Sequence, residues 1–340
     1  MNSSSISDHE TSMQRCMELA SRGRKNVGNG AMVGAVLVRE NKIIAQDWHR
    51  EFGSAHAESG LLNSFTGRIE PEDILYVNLE PCCHQGKTPP CTYAVISRGI
   101  KRVCFGMLDP DERVAGKGIE TLRSAGIEVI GPIARASCEY FNRGYVSLRR
   151  TGRPWITIKE ARTRSGMISH DDGSTLKITD EEQDVWSHTF LRSCHDGILV
   201  GVETIVRDNP FLNTRFAQRN DLTKVKNYQP WRIILDPSLR IPTSANVLMH
   251  SRGDTIVVTS DALSEGGRVA EDALHDWGVR VMQIPLREGS FAIPDILRLL
   301  STPRDDFHGL SSLLVEGGER TWKGFRSSGF IDEMVSLIGA

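Results

Sequence analysis

Ile74-Leu75-Tyr76-Val77-Asn78-Leu79-Glu80-Pro81-Cys82 is an apolar run of strand type that ends on a Pro-Cys pair. A helix is predicted to begin around Pro89-Pro90-Cys91, because proline suits a first helical turn. Another is predicted over His56 to Leu62, with His56 and Glu58 in its first turn. The two cysteines then stand near strand and helix ends, where the partial positive charge of a helix N-terminus stabilises a thiolate. His56, Cys82 and Cys91 are a complete ligand set for hydrolytic zinc, which takes three protein ligands and keeps a fourth position for water. Glu58 is left free to move protons.

Outward from this stretch, Ser7-Asp8-His9-Glu10 has the form of a capping box ahead of Met13, Cys16, Met17 and Ala20 at helical spacing. Val33 to Val38 and Lys42 to Trp48 read as strands around the polar turn Arg39-Glu40-Asn41. After the cysteines follow a strand at Arg102 to Met107, a helix at Gly118 to Ala125, a strand at Ile127 to Ile130 and a helix at Ala134 to Val146. This alternation predicts an α/β domain over residues 1–150. Thr151-Gly152-Arg153-Pro154 has linker chemistry, and a second α/β domain is predicted over 151–340. Its strands are expected at Trp155 to Lys159, Gly197 to Val202, Trp231 to Asp236, Thr255 to Thr259, Arg280 to Ile284 and Ser312 to Val315.

Composition narrows the function classes. At 340 residues, 39% hydrophobic and 25% charged, the chain has the balance of a globular protein with two domains. No apolar run reaches the roughly 18 residues that span a bilayer, and Met1-Asn2-Ser3-Ser4-Ser5 has no secretion-signal character, so a cytoplasmic protein is expected. Seven cysteines, an odd number, disfavour a disulfide framework and leave metal binding or burial; Cys16, Cys104, Cys138 and Cys194 are expected as buried thiols. A net charge of -2 argues against a nucleic-acid footprint and favours a small-molecule substrate. A homo-oligomer is compatible with the sequence.

The order His-x-Glu then Pro-Cys is the logic of zinc deaminases, in which the metal lowers the pKa of its water and the glutamate shuttles that proton to the departing amine. Their common form closes with Cys-x-x-Cys, whereas eight residues separate Cys82 from Cys91. Gly53-Ser54-Ala55-His56-Ala57-Glu58, Leu79-Glu80-Pro81-Cys82-Cys83-His84-Gln85-Gly86-Lys87-Thr88-Pro89-Pro90-Cys91 and Val114-Ala115-Gly116-Lys117-Gly118 resemble the bifunctional riboflavin-biosynthesis deaminase-reductase family. Thr151-Gly152-Arg153-Pro154, Ile198-Leu199-Val200-Gly201, Asp208-Asn209-Pro210 with Leu212 and Arg215, and Val315-Glu316-Gly317-Gly318 extend the resemblance to nearly the whole chain.

The resemblance implies an N-terminal cytidine-deaminase-like three-layer α/β/α domain and a C-terminal dihydrofolate-reductase-like α/β domain, with zinc and NADPH as cofactors. It implies a phosphorylated pyrimidine substrate, a diaminopyrimidinone carrying a phosphoribosylamino group, whose ring amine is replaced by oxygen before its ribosyl group is reduced to ribityl. His49, His84, Lys87 and Thr88 would hold the ring and phosphate, with Asp109 nearby. Lys159, Thr179, Arg192, Asp208, Arg215, Glu316, Gly317 and Gly318 would meet substrate or cofactor in the reductase half. Lys159 reads equally as a strand-end cation, and Cys83 as a neighbour of the metal, because water needs the open position.

Several positions depart from the family. Gly30 stands where a substrate-contacting asparagine is usual, Ser165 where an aspartate is, Lys177 where a tryptophan is common, and Glu203 where a glycine is. A glutamate near a dinucleotide phosphate is repulsive. The chain also ends soon after Asp332-Glu333, earlier than relatives that add another strand. The alternative reading is therefore a divergent paralogue with an active deaminase and a retuned reductase, serving a side pathway such as azapteridine (toxoflavin-type) biosynthesis. A third reading, a nucleic-acid deaminase or RNA-binding relative, is disfavoured by the acidic balance.

Overall fold

The computed structural model describes residues 6–86, 89–112, 114–168, 176–217, 228–249 and 253–339. The chain divides into two compact units, one reaching to Gly152 and including Arg304–His308, the other built from the rest of the chain beyond Arg153. Among the described residues no helix is long and apolar enough to cross a membrane.

The first unit runs α1 (Ile6–Ala20), β1 (Gly34–Arg39), β2 (Lys42–Trp48), α2 (Ala57–Ser64), β3 (Ile74–Val77), α3 (Cys91–Ser97), β4 (Arg102–Phe105), α4 (Lys117–Ser124), β5 (Glu128–Ile130), α5 (Arg135–Phe141) and α6 (Arg143–Thr151). Its five strands lie in the order β2-β1-β3-β4-β5, antiparallel about β1 and parallel from β3 to β5. β3 is apolar and buried along its whole length, as a central parallel strand must be. Helices cover the sheet: α1 packs on β1 and β3, while α2 packs on β2 and β1 and meets α3, which in turn meets α4. The expected helical stripe Met13, Cys16, Met17 and Ala20 is buried in this core.

Three details differ from the sequence reading. Ser7 lies inside α1 rather than capping it, and its carbonyl accepts from the Thr11 hydroxyl at 2.9 Å. The helix expected over Ala134 to Val146 is two helices, broken at Asn142 and prolonged to Thr151. Asn142 leaves the helical path while its buried amide serves the segment that leads into β1: Met32 N donates to its Oδ1 at 2.9 Å and its Nδ2 donates to Met32 O at 2.9 Å. Of the cysteines expected to be buried, Cys16, Cys104 and Cys138 are, but Cys194 is only partly covered.

The second unit runs β6 (Trp155–Arg162), α7 (Glu181–Phe190), β7 (Gly197–Gly201), α8 (Val202–Asp208), β8 (Trp231–Leu235), α9 (Asn246–Met249), β9 (Thr255–Ser260), α10 (Glu265–Asp276), β10 (Arg280–Ile284), β11 (Leu286–Arg287), β12 (Ser290–Phe291), α11 (Ile293–Ser301), β13 (Ser312–Val315), α12 (Glu319–Ser328) and β14 (Glu333–Ile338). Seven of these strands form a parallel sheet in the order β10-β9-β8-β7-β13-β6-β14. From β7 the chain builds outward to β10 and then returns to insert β13 beside β7. The carboxyl ends of β7 and β13 thus flank a reversal of strand order, the place where α/β sheets open a ligand crevice.

β14 is a strand that the sequence reading did not expect after Asp332-Glu333. Arg153 grips Asp332 with two hydrogen bonds of 2.6 and 2.8 Å, and Ile156 N donates to the same carboxylate at 2.8 Å. This sets the register of β14 on β6, and alternate residues of β14 are exposed, as on a half-covered edge strand.

Asn142→Ala removes the acceptor of the buried Met32 amide and one of the two donors to its carbonyl, the other being Asn78 Nδ2 at 3.0 Å, and is expected to destabilise the first unit by about 1–3 kcal/mol in urea denaturation. A loss below about 0.5 kcal/mol would show that the Asn142 clamp does not hold the segment before β1.

Candidate active sites

His56 is the N-cap of α2, with extended backbone, and Glu58 follows in the first turn with only 3% of its surface exposed. Cys82 lies two residues beyond the buried Glu80 at the end of the β3 segment, and Cys91 is the first residue of α3, with Pro90 as its N-cap. His56 Nδ1 stands 3.5 Å from Cys82 Sγ and 3.4 Å from Cys91 Sγ, and the three ligand atoms lie within 4.8 Å of one another. Nitrogen and sulfur at about 2.1 and 2.3 Å from a tetrahedral ion stand about 3.6 Å apart, so the donor set has the spacing zinc requires. Cys91 N donates to Cys82 Sγ at 3.3 Å and the Ser59 hydroxyl lies 3.6 Å from Cys91 Sγ, fixing the sulfurs from behind.

The electrostatics match this arrangement. A hydrogen bond from the Cys91 thiol, with help from His56, brings Cys82 down to about 4, and the same bond holds Cys91 up. Burial raises Glu58 to about 7, against the opposing pull of His56. His49, buried with its ring 5.3 Å from that of His56, is held below the usual histidine range by burial and by His56. Its Nε2 is buried and has no hydrogen-bond partner among the described residues. His84 is exposed, and Lys87 and Thr88 fall outside the described residues.

Asp109 sits at the mouth of a loop organised by Glu80, a residue the sequence reading quoted without a role. The buried Glu80 carboxylate accepts from Asp109 N at 3.1 Å and Gly116 N at 2.9 Å through Oε2, and from Gly118 N at 2.9 Å through Oε1. α4 has no side-chain cap of its own, so Glu80 satisfies its first N–H groups from a strand end. A Cβ on Gly118 would lie 2.0 Å from Pro81 O, so the loop reaches the Pro-Cys corner only because residue 118 is glycine. The Asp109 carboxylate accepts from Asp111 N at 2.9 Å and from the Tyr145 hydroxyl at 3.2 Å, while burial holds it above the usual carboxylate range.

In the second unit the structure brings together Lys159, Arg192, Arg215 and Glu316. Arg192 donates to both Glu316 oxygens, at 2.8 and 2.5 Å, from η2 (Arg192–Cys194), the turn after α7, to the end of β13. Burial alone would raise the Glu316 carboxyl, but the Arg192 guanidinium overrides it, aided by Lys159, and brings it to about 2. Thr179 joins through Asp184, to which its hydroxyl donates at 2.7 Å. Gly317 and Gly318 continue from Glu316 into α12, and Gly318 N donates to Thr204 Oγ1 at 3.3 Å across the neighbouring β7 and β13 ends. Asp208 stands exposed in the last turn of α8.

Of the family departures, Glu203 has a local partner, and the structure places the other three without explaining them. Glu203 pairs with Arg240 at 2.6 Å, which holds it below the usual carboxylate range and cancels the expected repulsion. The Ser165 hydroxyl is 2.8 Å from that of Thr163, inside a turn, and Lys177 is exposed. Gly30 N donates to Val27 O at 3.0 Å. His188 and Asn213, which the sequence reading did not single out, also border the cluster: His188 Nε2 is 3.1 Å from an Arg192 terminal nitrogen, which donates to Asn213 O at 3.0 Å. Burial first, and then Arg192, lower His188 to about 3.

Comparison with known proteins points the same way. Residues 154–340 match the family described as the RibD C-terminal domain, and residues 6–107 match the cytidine and deoxycytidylate deaminase zinc-binding region. The chain is 36% identical to the riboflavin biosynthesis protein RibD of Aquifex aeolicus over 96% of its own length and 85% of that protein's. Its structure is similar to that of Acinetobacter baumannii RibD, with a TM-score of 0.76 and 30% identity over 98% of this chain and 87% of the other. It is also similar to a diaminohydroxyphosphoribosylaminopyrimidine deaminase/5-amino-6-(5-phosphoribosylamino)uracil reductase of Thermotoga maritima, with a TM-score of 0.74 and 31% identity over 95% and 84% of the two chains.

Two outcomes follow from this geometry. Glu80→Gln exchanges an acceptor oxygen for an amide that faces N–H donors, and should lower the stability of the first unit by about 2 kcal/mol in urea; an unchanged midpoint would refute the clamp. His188 is neutral in the fold down to about 3, against a reference of 6.5. Between those values the unfolded chain binds more protons, so the stability of the second unit falls as pH is lowered from 6.5 towards 3. His188→Gln should flatten that slope in thermal melts across the window, and identical slopes for variant and parent would count against the assignment.

Proposed function

The chain belongs to the RibD family of bifunctional deaminase-reductases in riboflavin biosynthesis, and we propose that His56, Cys82 and Cys91 hold its zinc ion while Glu58 carries the protons of deamination. The observation that carries this assignment is the meeting of one imidazole nitrogen and two sulfurs at 3.4 and 3.5 Å beside a fully buried carboxylate. When bound, the metal lowers the pKa of a water in its open position and so supplies the nucleophile at neutral pH.

The chain's own residues do the rest. Glu58, lifted by burial into the range where it can both take and give a proton, carries the first proton of the attacking water to the ring nitrogen and then the second, from the newly formed hydroxyl, to the amine that leaves as ammonia. The pyrimidine carbon gains oxygen from water and loses its amine as ammonia. His49, with its unpartnered Nε2 beside His56, is placed to hydrogen-bond the ring, and Asp109, oriented by Glu80 and Tyr145, to meet a second polar edge. His84, Lys87 and Thr88 are assigned to the substrate by their motif.

In the reductase half, NADPH supplies a hydride that reduces the ribosyl group to ribityl. Gly317 and Gly318, with Thr204 against them, lie at the strand-order reversal and suit the close backbone approach of a dinucleotide. Lys159, Arg192 and Arg215 concentrate positive charge around the buried Glu316, with Asp184 the second carboxylate near the two arginines, so the cations outnumber the anions, a pattern that suits the phosphorylated end of the substrate. Thr179 supports this cluster through Asp184, and Asp208 is kept as a cofactor contact by its motif alone. The side-pathway alternative has no specific support, since the relatives named above are riboflavin-biosynthesis proteins.

Glu58→Gln should keep its zinc by elemental analysis and lose deamination by about a thousandfold or more, while still reducing the deaminated intermediate with NADPH. Cys91→Ala should lose the metal as well. Mass spectrometry of products from the phosphoribosylated diaminopyrimidinone, with and without NADPH, checks both halves: a product that becomes ribityl only with NADPH is expected, and one that stops at deamination would remove the reductase assignment.

A further inference from the structure

Arg192 and Arg215 are two long cations that repel each other, and besides the bond of Arg192 to Glu316 each touches groups outside the family motifs. His188 lies one helical turn before Arg192 and is buried. A neutral imidazole has one lone pair, for which two donors compete: Arg192 approaches Nε2 at 3.1 Å and Phe216 N approaches Nδ1 at 3.4 Å, and the shorter contact, from a charged donor, is the stronger. The other side of the set is aromatic. The Phe216 ring packs against the His188 ring with centroids 4.9 Å apart, and the Arg215 guanidinium lies 4.4 Å from the Phe216 centroid. Asn213 links the two cations, accepting from Arg192 through its carbonyl and from Arg215 through Oδ1, both at 3.0 Å.

We propose that His188 and Phe216 are positioning residues of the reductase site, which fix Arg192 and Arg215 as a preformed clamp for the phosphorylated end of the substrate. This rests on the reading that the two arginines bind that substrate. His188 supplies an acceptor that turns Arg192 without neutralising it, so the bidentate bond to Glu316 is reinforced and the guanidinium remains a cation. Phe216 offers the negative face of its ring to Arg215, which holds a side chain that would otherwise sample many rotamers. Ordering both cations before substrate arrives removes that entropy cost from binding.

The full-length protein carries its own control, because deamination occurs in the other unit. His188→Leu and Phe216→Leu are expected to raise the KM for the deaminated phosphoribosyl substrate about tenfold or more, with kcat and the KM for NADPH changed by less than about threefold. Deamination by the same preparations should be unchanged. His188→Gln, which keeps an acceptor, and Phe216→Tyr, which keeps the ring, should restore KM to within about threefold of the parent. A merely structural role predicts instead that kcat and both KM values worsen together and that Gln and Leu at position 188 are equally poor. Phe216 is 44% exposed, so its leucine variant tests the clamp even where a core change at His188 fails to fold. Unchanged KM in Phe216→Leu with an active parent overturns this proposal alone. A parent that never reduces the intermediate overturns it together with the reductase reading.

Discussion

Two sulfurs and an imidazole nitrogen held at ligand spacing are the constraint around which the first unit is built. Sulfurs so close favour sharing a proton over ionising together, and Cys82 and Cys91 show this in their opposite shifts. A cation at the centre resolves the conflict, and the fold must present the donors without mobility. It does so by drawing them from element ends: the N-cap of α2, the segment after β3 and the first residue of α3. Strand ends and helix starts are also where backbone N–H groups are unsatisfied, so the same corner that places the ligands is electropositive.

The dependence extends outward through Glu80. Its carboxylate reads the first N–H groups of α4 and the amide of Asp109, so the segment that follows β3 sets the position of the loop after β4. A single buried anion thereby couples the corner that carries Cys82 to the loop that carries Asp109. The second unit solves the reverse problem, since Glu316 is a fully desolvated carboxylate among Lys159, Arg192 and Arg215, with the half-buried Asp184 also near the two arginines. Removing it would leave like charges facing one another in a partly dry environment, where repulsion is strongest.

Legibility in the sequence followed the range of the interaction. His56, Glu58, Cys82 and Cys91 could be read because metal chemistry restricts both residue type and spacing, and the strands of both units because buried parallel strands are apolar throughout. Glu80 could be read as a letter but not as a clamp, since its partners lie 29, 36 and 38 residues away. The break at Asn142 was hidden for the same reason: its partner, Met32, is 110 residues distant. β14 was missed because its apolar residues merely alternate at the chain end, and its register comes from Arg153 gripping Asp332, 179 residues away.

Departures from a family pattern therefore carry meaning only with their partners. Glu203 alone reads as a charge that would repel a dinucleotide phosphate, yet Arg240, 37 residues on, cancels it. A carboxylate in the first turn of α8 is also favoured by the helix dipole. The adjoining Thr204 hydroxyl accepts from Gly318 N, so the loops after β7 and β13 meet beside Glu203. Around Glu203 the charge is offset locally by Arg240, and the backbone approach of Gly318 to Thr204 is made beside it, so the charge that drew attention in the sequence stands in a locally balanced setting.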